Sequence, residues 1–168
     1  IIGFSHIHSW TMGGLLTMPV TGPLKIKPGE ENEPDSGYRS RINHKNEKAS
    51  LSYYSVLLDD YNIKAELTST TRTGFQRYTF PKSDSSRILF DLENGSEYPY
   101  EVRWASISKV SDYEIEGFST QSSYDEPTNL LNDYTVYFVA RVDKPMKSFG
   151  TWVNGYVDTT SSICWGRH

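Results

Sequence analysis

The sequence predicts an all-β protein, built as a large antiparallel sandwich. Three observations carry that prediction. Apolar and polar residues alternate with period two in several short runs, as at Ile63, Ala65 and Leu67 against Lys64, Glu66 and Thr68. Turn signals such as Thr73-Gly74, Asn94-Gly95 and Asn154-Gly155 separate those runs. No stretch sustains the 3.6-residue apolar period of an amphipathic helix.

Residues 1–52 read as a long, ordered loop region with short strands, because Gly13-Gly14, Pro19, Gly22-Pro23, Pro28-Gly29, Pro34 and Gly37 interrupt every apolar run. Phe4, Trp10, Leu15, Leu16 and Met18 supply enough apolar surface to order it, and a loop of this length in a compact domain is usually functional. The Glu-rich piece from Gly29 to Asp35 reads as a solvated excursion. Residues 53–168 form the strand-rich part. Tyr53 to Leu58 is a bulky β-type run, and Asp59-Asp60 turns the chain before the alternating run at Ile63. Phe75 to Phe80 follows the break at Thr73-Gly74, and Pro81 closes it. Arg87 to Leu92, Glu101 to Val110 and Tyr113 to Phe118 continue the meander. Gln121 to Asp133 is the one weak helix candidate, interrupted by Pro127. Tyr134 to Val142 is apolar on both faces and is expected at the centre of a sheet. Phe149 to Val153 and Tyr156 to Thr159 flank Asn154-Gly155 as a hairpin.

A chain of 168 residues is one domain's worth of protein. Its formal net charge of −4 gives no electrostatic advantage on a phosphate backbone, which argues against nucleic acid as partner. No window approaches the apolar length of a membrane-spanning helix. The single cysteine, Cys164, excludes an internal disulfide, and Asn94-Gly95-Ser96 reads as a turn rather than a glycan acceptor.

The chemistry concentrates at the start of the chain. In extended Gly3-Phe4-Ser5-His6-Ile7-His8, the side chains of His6 and His8 point to one face, and Trp10 joins them at the same period. Imidazole donates and accepts near neutral pH, and an indole packs on the C–H face of a sugar ring, so this row reads as the wall of a pocket for a polar ring. Two other readings stay open. The histidines could be satisfied by hydrogen bonds within a loop core. They could also be metal ligands with His44 or a carboxylate as a third, although no Cys pair or His-Glu-x-x-His pattern supports it. Trp104, Trp152 and Trp165 read as core or sheet-face residues. Glu47, Asp59, Asp60, Glu66 and Asp91 are carboxylates of the type a glycosidase needs, but none has a setting that signals catalysis. Arg72 and Arg77 could clamp a carboxylate, with pairing to Glu66 on the sheet face as the plainer alternative. No nucleophile elbow or phosphate loop is present.

A series of ordered pieces resembles one family. These are Gly3-Phe4-Ser5-His6-Ile7-His8, Met18-Pro19, Tyr38-Arg39-Ser40, Glu47-Lys48-Ala49-Ser50, Tyr53-Tyr54-Ser55-Val56, Leu58-Asp59-Asp60-Tyr61, Ile63 to Thr68, Arg72-Thr73-Gly74-Phe75 and Arg77-Tyr78-Thr79-Phe80-Pro81. Tyr137-Phe138-Val139-Ala140-Arg141 and Gly150-Thr151-Trp152 extend the match. Together they are similar to the N-terminal domain of glycoside hydrolase family 92, the calcium-dependent exo-α-mannosidases. The resemblance implies a supersandwich of the galactose-mutarotase-like type, packed in the parent protein on an (α/α)₆ barrel that holds the catalytic acid, the base and Ca²⁺. It implies an inverting, α-1,2-mannosidase-like exo-enzyme acting on mannose-containing glycans, secreted or periplasmic. Ser5, His6, His8, Trp10, Gly13 and Gly14 would then contact substrate, with His44, Glu47 and Arg72 as secondary candidates. No catalytic residue or metal ligand is assigned to this segment, which is expected to be a part of the enzyme and inactive alone.

The sequence departs from the family pattern in two places. After the second histidine the common Leu-Ser-Gly-Thr-Gly is replaced by Ser9-Trp10-Thr11-Met12-Gly13-Gly14, which bears on linkage specificity. Ser50-Leu51-Ser52-Tyr53-Tyr54 replaces the usual Pro-Gly before the tyrosines, which bears on the shape of a turn. The rival to an enzyme part is a stand-alone, non-catalytic carbohydrate-binding sandwich. A third reading is a structural surface sandwich whose aromatics are only core.

Overall fold

The computed structural model describes residues 1–7, 15–93, 100–125 and 130–167. His8, Trp10, Gly13 and Gly14, and the turn expected at Asn94-Gly95, lie outside the described residues. The described chain is all-β, with antiparallel sheets, as the alternation and turn signals predict. Its strands in order are β1 (Leu16–Val20), β2 (Lys48–Ser50), β3 (Tyr53–Leu58), β4 (Ile63–Ser69), β5 (Gly74–Thr79), β6 (Arg87–Asp91), β7 (Tyr100–Ser111), β8 (Glu114–Asp125), β9 (Leu130–Arg141), β10 (Thr151–Val153), β11 (Tyr156–Asp158) and β12 (Ile163–Arg167). Two 3-10 turns, Pro34–Ser36 and His44–Asn46, are the helical pieces among the described residues. None is long and apolar enough to cross a membrane.

The chain forms two compact units, Ile1–His6 with Leu16–Asp91, and Ile7–Leu15 with Leu92–His168. In the first unit β2-β3-β4-β5 make one antiparallel sheet and β1-β6 a second. The period-two face of Ile63 and Ala65 is fully buried and pairs with Val56 and Leu58. Met18, Val20 and Leu89 bring apolar side chains from β1 and β6. The Thr17 side chain joins the two sheets: Gln76 Oε1 accepts from its hydroxyl at 2.7 Å and from the Tyr78 hydroxyl at 2.5 Å. The Gly29 to Asp35 stretch is mostly exposed, as expected. At the unit's base the buried Tyr38 hydroxyl donates to buried Asp91, and Tyr61 donates to the Tyr38 carbonyl at 2.9 Å. Asp60, in the expected turn, accepts from the Arg41 backbone N–H at 2.6 Å and from its guanidinium.

In the second unit the sheet order is β12-β7-β8-β9, and β10 pairs with β11. Asn154 and Gly155 have φ of 50° and 83°, the two positive angles a tight hairpin turn needs, so the expected hairpin forms. Leu92, Val102 and Ala105 are the buried core, with Leu15, Ile107 and Phe138 against them. The opposite face of the same sheet carries Trp104, Phe118, Tyr137 and Trp165, with Tyr137 77% exposed.

Two expectations are corrected here. The run from Tyr134 lies in β9, which is an edge strand among the described residues, not a central one. Its second apolar face, Tyr137 and Val139, is exposed on the sheet surface instead of covered. The helix candidate at 121–133 is strand wherever it is described: β8 continues to Asp125 and β9 begins at Leu130. Cross-strand pairing of Gln121 with Tyr134, including a 2.9 Å bond from the Tyr134 hydroxyl to Gln121 Oε1, overrides the weak local helix preference.

Candidate functional site

The site is built on the first unit. Phe4 is held to β1 by reciprocal backbone bonds with Thr17, 2.9 Å each, and the chain bends at His6, where an extended run was expected. The Phe4 ring is buried and packs on Tyr78 at 6.2 Å between centroids. Burial pushes the Tyr78 phenol up to about 12, so it stays a hydroxyl donor at any physiological pH. This anchor delivers Ser5 and His6 to the rim of a wide, open cleft of about 530 Å³. Ser52, Tyr53 and Tyr54 from the β2–β3 hairpin and Ser69 from β4 line it as well. The lining mixes hydroxyls with aromatic carbon, the surface a sugar ring needs.

His6 is placed by contact with a glycine. A Cβ built on Gly74 would meet His6 Cδ2 at 2.2 Å, Cγ at 2.4 Å and Nε2 at 2.8 Å. The imidazole therefore lies on the bare backbone at the start of β5. Desolvation there lowers its pKa below the ordinary histidine value, which favours the neutral ring, a donor and an acceptor at once.

The secondary candidates separate. His44 Nδ1 lies 2.6 Å from Glu47 Oε2, and the Tyr54 hydroxyl donates to Glu47 Oε1 at 2.6 Å. His44 and Glu47 thus meet each other behind Tyr54, not in the cleft lining. Arg72 is exposed and forms no ion pair among the described residues. Arg77 takes the plainer alternative and binds Glu66 through Nε at 2.9 Å and Nη2 at 2.9 Å. Tyr53 donates to the same carboxylate at 2.7 Å, and Lys64 lies 3.1 Å away. Arg77, then Tyr53, then Lys64 hold the Glu66 carboxyl down at about 2.

Glu47, Asp60 and Asp158 are also held below their ordinary values. A glycosidase acid needs the opposite shift. Among the described residues no three His, Cys, Asp or Glu side chains converge to hold a metal ion. Sequence reasoning missed Gly74, Ser69 and Tyr54 as parts of the site. A glycine in a strand pattern does signal close approach of another group, and Gly74 carried that signal.

The family model described as the glycosyl hydrolase family 92 N-terminal domain matches residues 1–167. The fold is similar to that of a family GH92 alpha-mannosidase from Bacteroides thetaiotaomicron in complex with mannoimidazole, at 32% identity and a TM-score of 0.82, over 92% of this chain and 20% of that one. The same alpha-mannosidase without that ligand gives 32% identity and a TM-score of 0.82, over 92% and 21%. The chain thus spans about a fifth of the length of these solved structures. No curated protein matches it.

Proposed function

Since the chain belongs to the family of glycosyl hydrolase family 92 N-terminal domains, we propose that it forms the non-catalytic side of the sugar pocket in an inverting exo-α-mannosidase. The observation that carries this reading is the place of His6 against Gly74, in the lining of a cleft of hydroxyls and aromatic carbon. In this role His6 exchanges hydrogen bonds with sugar hydroxyls, Ser5 and Ser69 offer further polar contacts, and Tyr53 and Tyr54 give the ring an apolar wall. His8, Trp10, Gly13 and Gly14 stand as further proposed substrate contacts on the strength of their motif alone.

Proton transfer belongs elsewhere in the parent polypeptide. An inverting enzyme needs one carboxylic acid for the leaving oxygen and one carboxylate to activate water. Carboxyls held low, as Glu47 and Glu66 are, cannot serve as that acid near neutral pH. Calcium, ligated outside the described residues, would supply oxygen coordination of the sugar hydroxyls. The partner of this domain is a helical (α/α)₆ domain of the same chain, the substrates are α-linked mannosides, and the enzyme works in a secreted or periplasmic setting.

The test is mannose release from α-mannosides by the full-length protein with calcium present. We expect turnover, inversion at the anomeric carbon, and a loss of about 10- to 100-fold in kcat/KM for His6→Ala, the scale of one hydrogen bond to substrate. Absence of turnover with retained mannoside binding would instead favour a carbohydrate-binding module, the reading that the low-lying carboxylates also accommodate.

A further inference from the structure

We propose that Gly74 is a positioning residue: by lacking a Cβ it forms the slot that fixes the His6 imidazole at the cleft rim. The inference deepens the pocket reading above and rests on it for the role of His6. Three consecutive ring atoms fall within 2.2–2.8 Å of where a Cβ on Gly74 would sit, whereas ordinary contact begins near 3.4 Å. Any side chain at 74 therefore moves the ring by about 1 Å or more, and displacements of that size degrade a binding geometry steeply.

The glycine has no other evident purpose in its strand. It opens β5, an edge strand, opposite Ser69. Its φ lies outside the left-handed range that only glycine accepts readily, so alanine is conformationally allowed there. Alanine in a strand is ordinarily no worse than glycine, because it reduces the freedom of the unfolded chain. The penalty for filling position 74 falls on the His6 ring, the mobile end of a side chain, and hence on the site more than on the fold. The slot also accounts for the desolvation of the ring: one of its faces rests on backbone instead of water.

The experiment is a double-mutant cycle in the full-length protein, with Gly74→Ala and His6→Ala made singly and together. Mannoside kinetics, thermal unfolding and the ring NMR signals of His6 in the sugar-free state are the readouts. We expect Gly74→Ala to shift the His6 ring signals and raise its pKa toward the ordinary value. In kcat/KM it should cost about as much as His6→Ala, and the double variant should be no worse than His6→Ala alone. If Gly74→Ala unfolds the protein, removal of the ring in the double variant should restore the midpoint, since the methyl then has room. Unchanged ring signals overturn the inference. So does a Gly74→Ala effect that persists undiminished without His6, or instability that the double variant does not relieve. The ring signals need no sugar, so a wild-type protein without mannosidase activity sinks the functional reading while the slot is still judged on its own.

Discussion

The Tyr54 hydroxyl donates to Glu47 Oε1 at 2.6 Å, and His44 meets the other oxygen of that carboxylate at 2.6 Å. A strand that lines the cleft is thereby tied to the 3-10 turn before β2. The Tyr54 bond, then the His44 bond, hold the Glu47 carboxyl below its ordinary value. Burial and the carboxylate push the Tyr54 phenol up. Because the folded Glu47 value is depressed, its contribution is present above 4.5 and is lost as pH falls through the folded value. Tyr54→Phe should raise the Glu47 pKa and shrink that acid limb, read by carboxyl-carbon NMR titration. An unmoved Glu47 resonance would refute the tie.

Glu66 gives a stronger acid dependence. Its carboxyl is held at about 2 against 4.5, so its stabilisation is complete above 4.5 and disappears as pH falls from there to about 2. Glu66→Gln should lower the urea midpoint at neutral pH and flatten the midpoint's decline on acidification. Parallel acid profiles for the two proteins would show that the Arg77–Tyr53–Lys64 cluster contributes no such linkage.

Ser52 occupies the second position of the two-residue β2–β3 turn with φ of 63°. A side chain in that left-handed region is unfavourable, and glycine is at ease there. Ser52→Gly should stabilise the protein by about 0.5–1 kcal/mol, raising the melting temperature by about 1–4 °C. A fall in that temperature would show that the serine side chain has a compensating role at the rim.

Tyr38 and Asp91 are 1% and 3% exposed, and the phenol donates to the carboxylate. Tyr38→Phe removes that donor from a buried acceptor and should cost about 1–3 kcal/mol. Denaturant unfolding measures it, and a loss below a few tenths would mean that the remaining surroundings of Asp91 suffice without the phenol.

In the core, Ile63 is fully buried where β3 and β4 pair at Leu58. Ile63→Ala should cost about 2–5 kcal/mol through lost burial and the cavity left behind.

Much of the fold was legible because its causes are local. The alternation from Ile63 to Leu67 specified a half-buried strand, and Asn154-Gly155 specified a tight hairpin, since each depends on backbone and side-chain chemistry within a few residues. Of the proposed site, Ser5 and His6 were legible from their motif and both line the cleft, but the chain bends at His6 instead of running extended through it. His44 and Glu47 were separate secondary candidates by residue type; that they meet each other, outside the lining of the cleft, is a relation set by the hairpin that intervenes. The Tyr134 run misled: being apolar on both faces says nothing about whether a further strand pairs beside it, and β9 sits at the edge.

By itself, then, the sequence determined an antiparallel β architecture and singled out the histidine next to Phe4 and Ser5, because side-chain period, turn geometry and short motifs are properties of neighbouring residues. Only the tertiary structure decided that His6 rests on Gly74, sixty-eight positions away, and that Arg77 is committed to Glu66. Those relations arise from strand pairing and close backbone approach between distant segments, which no local pattern encodes.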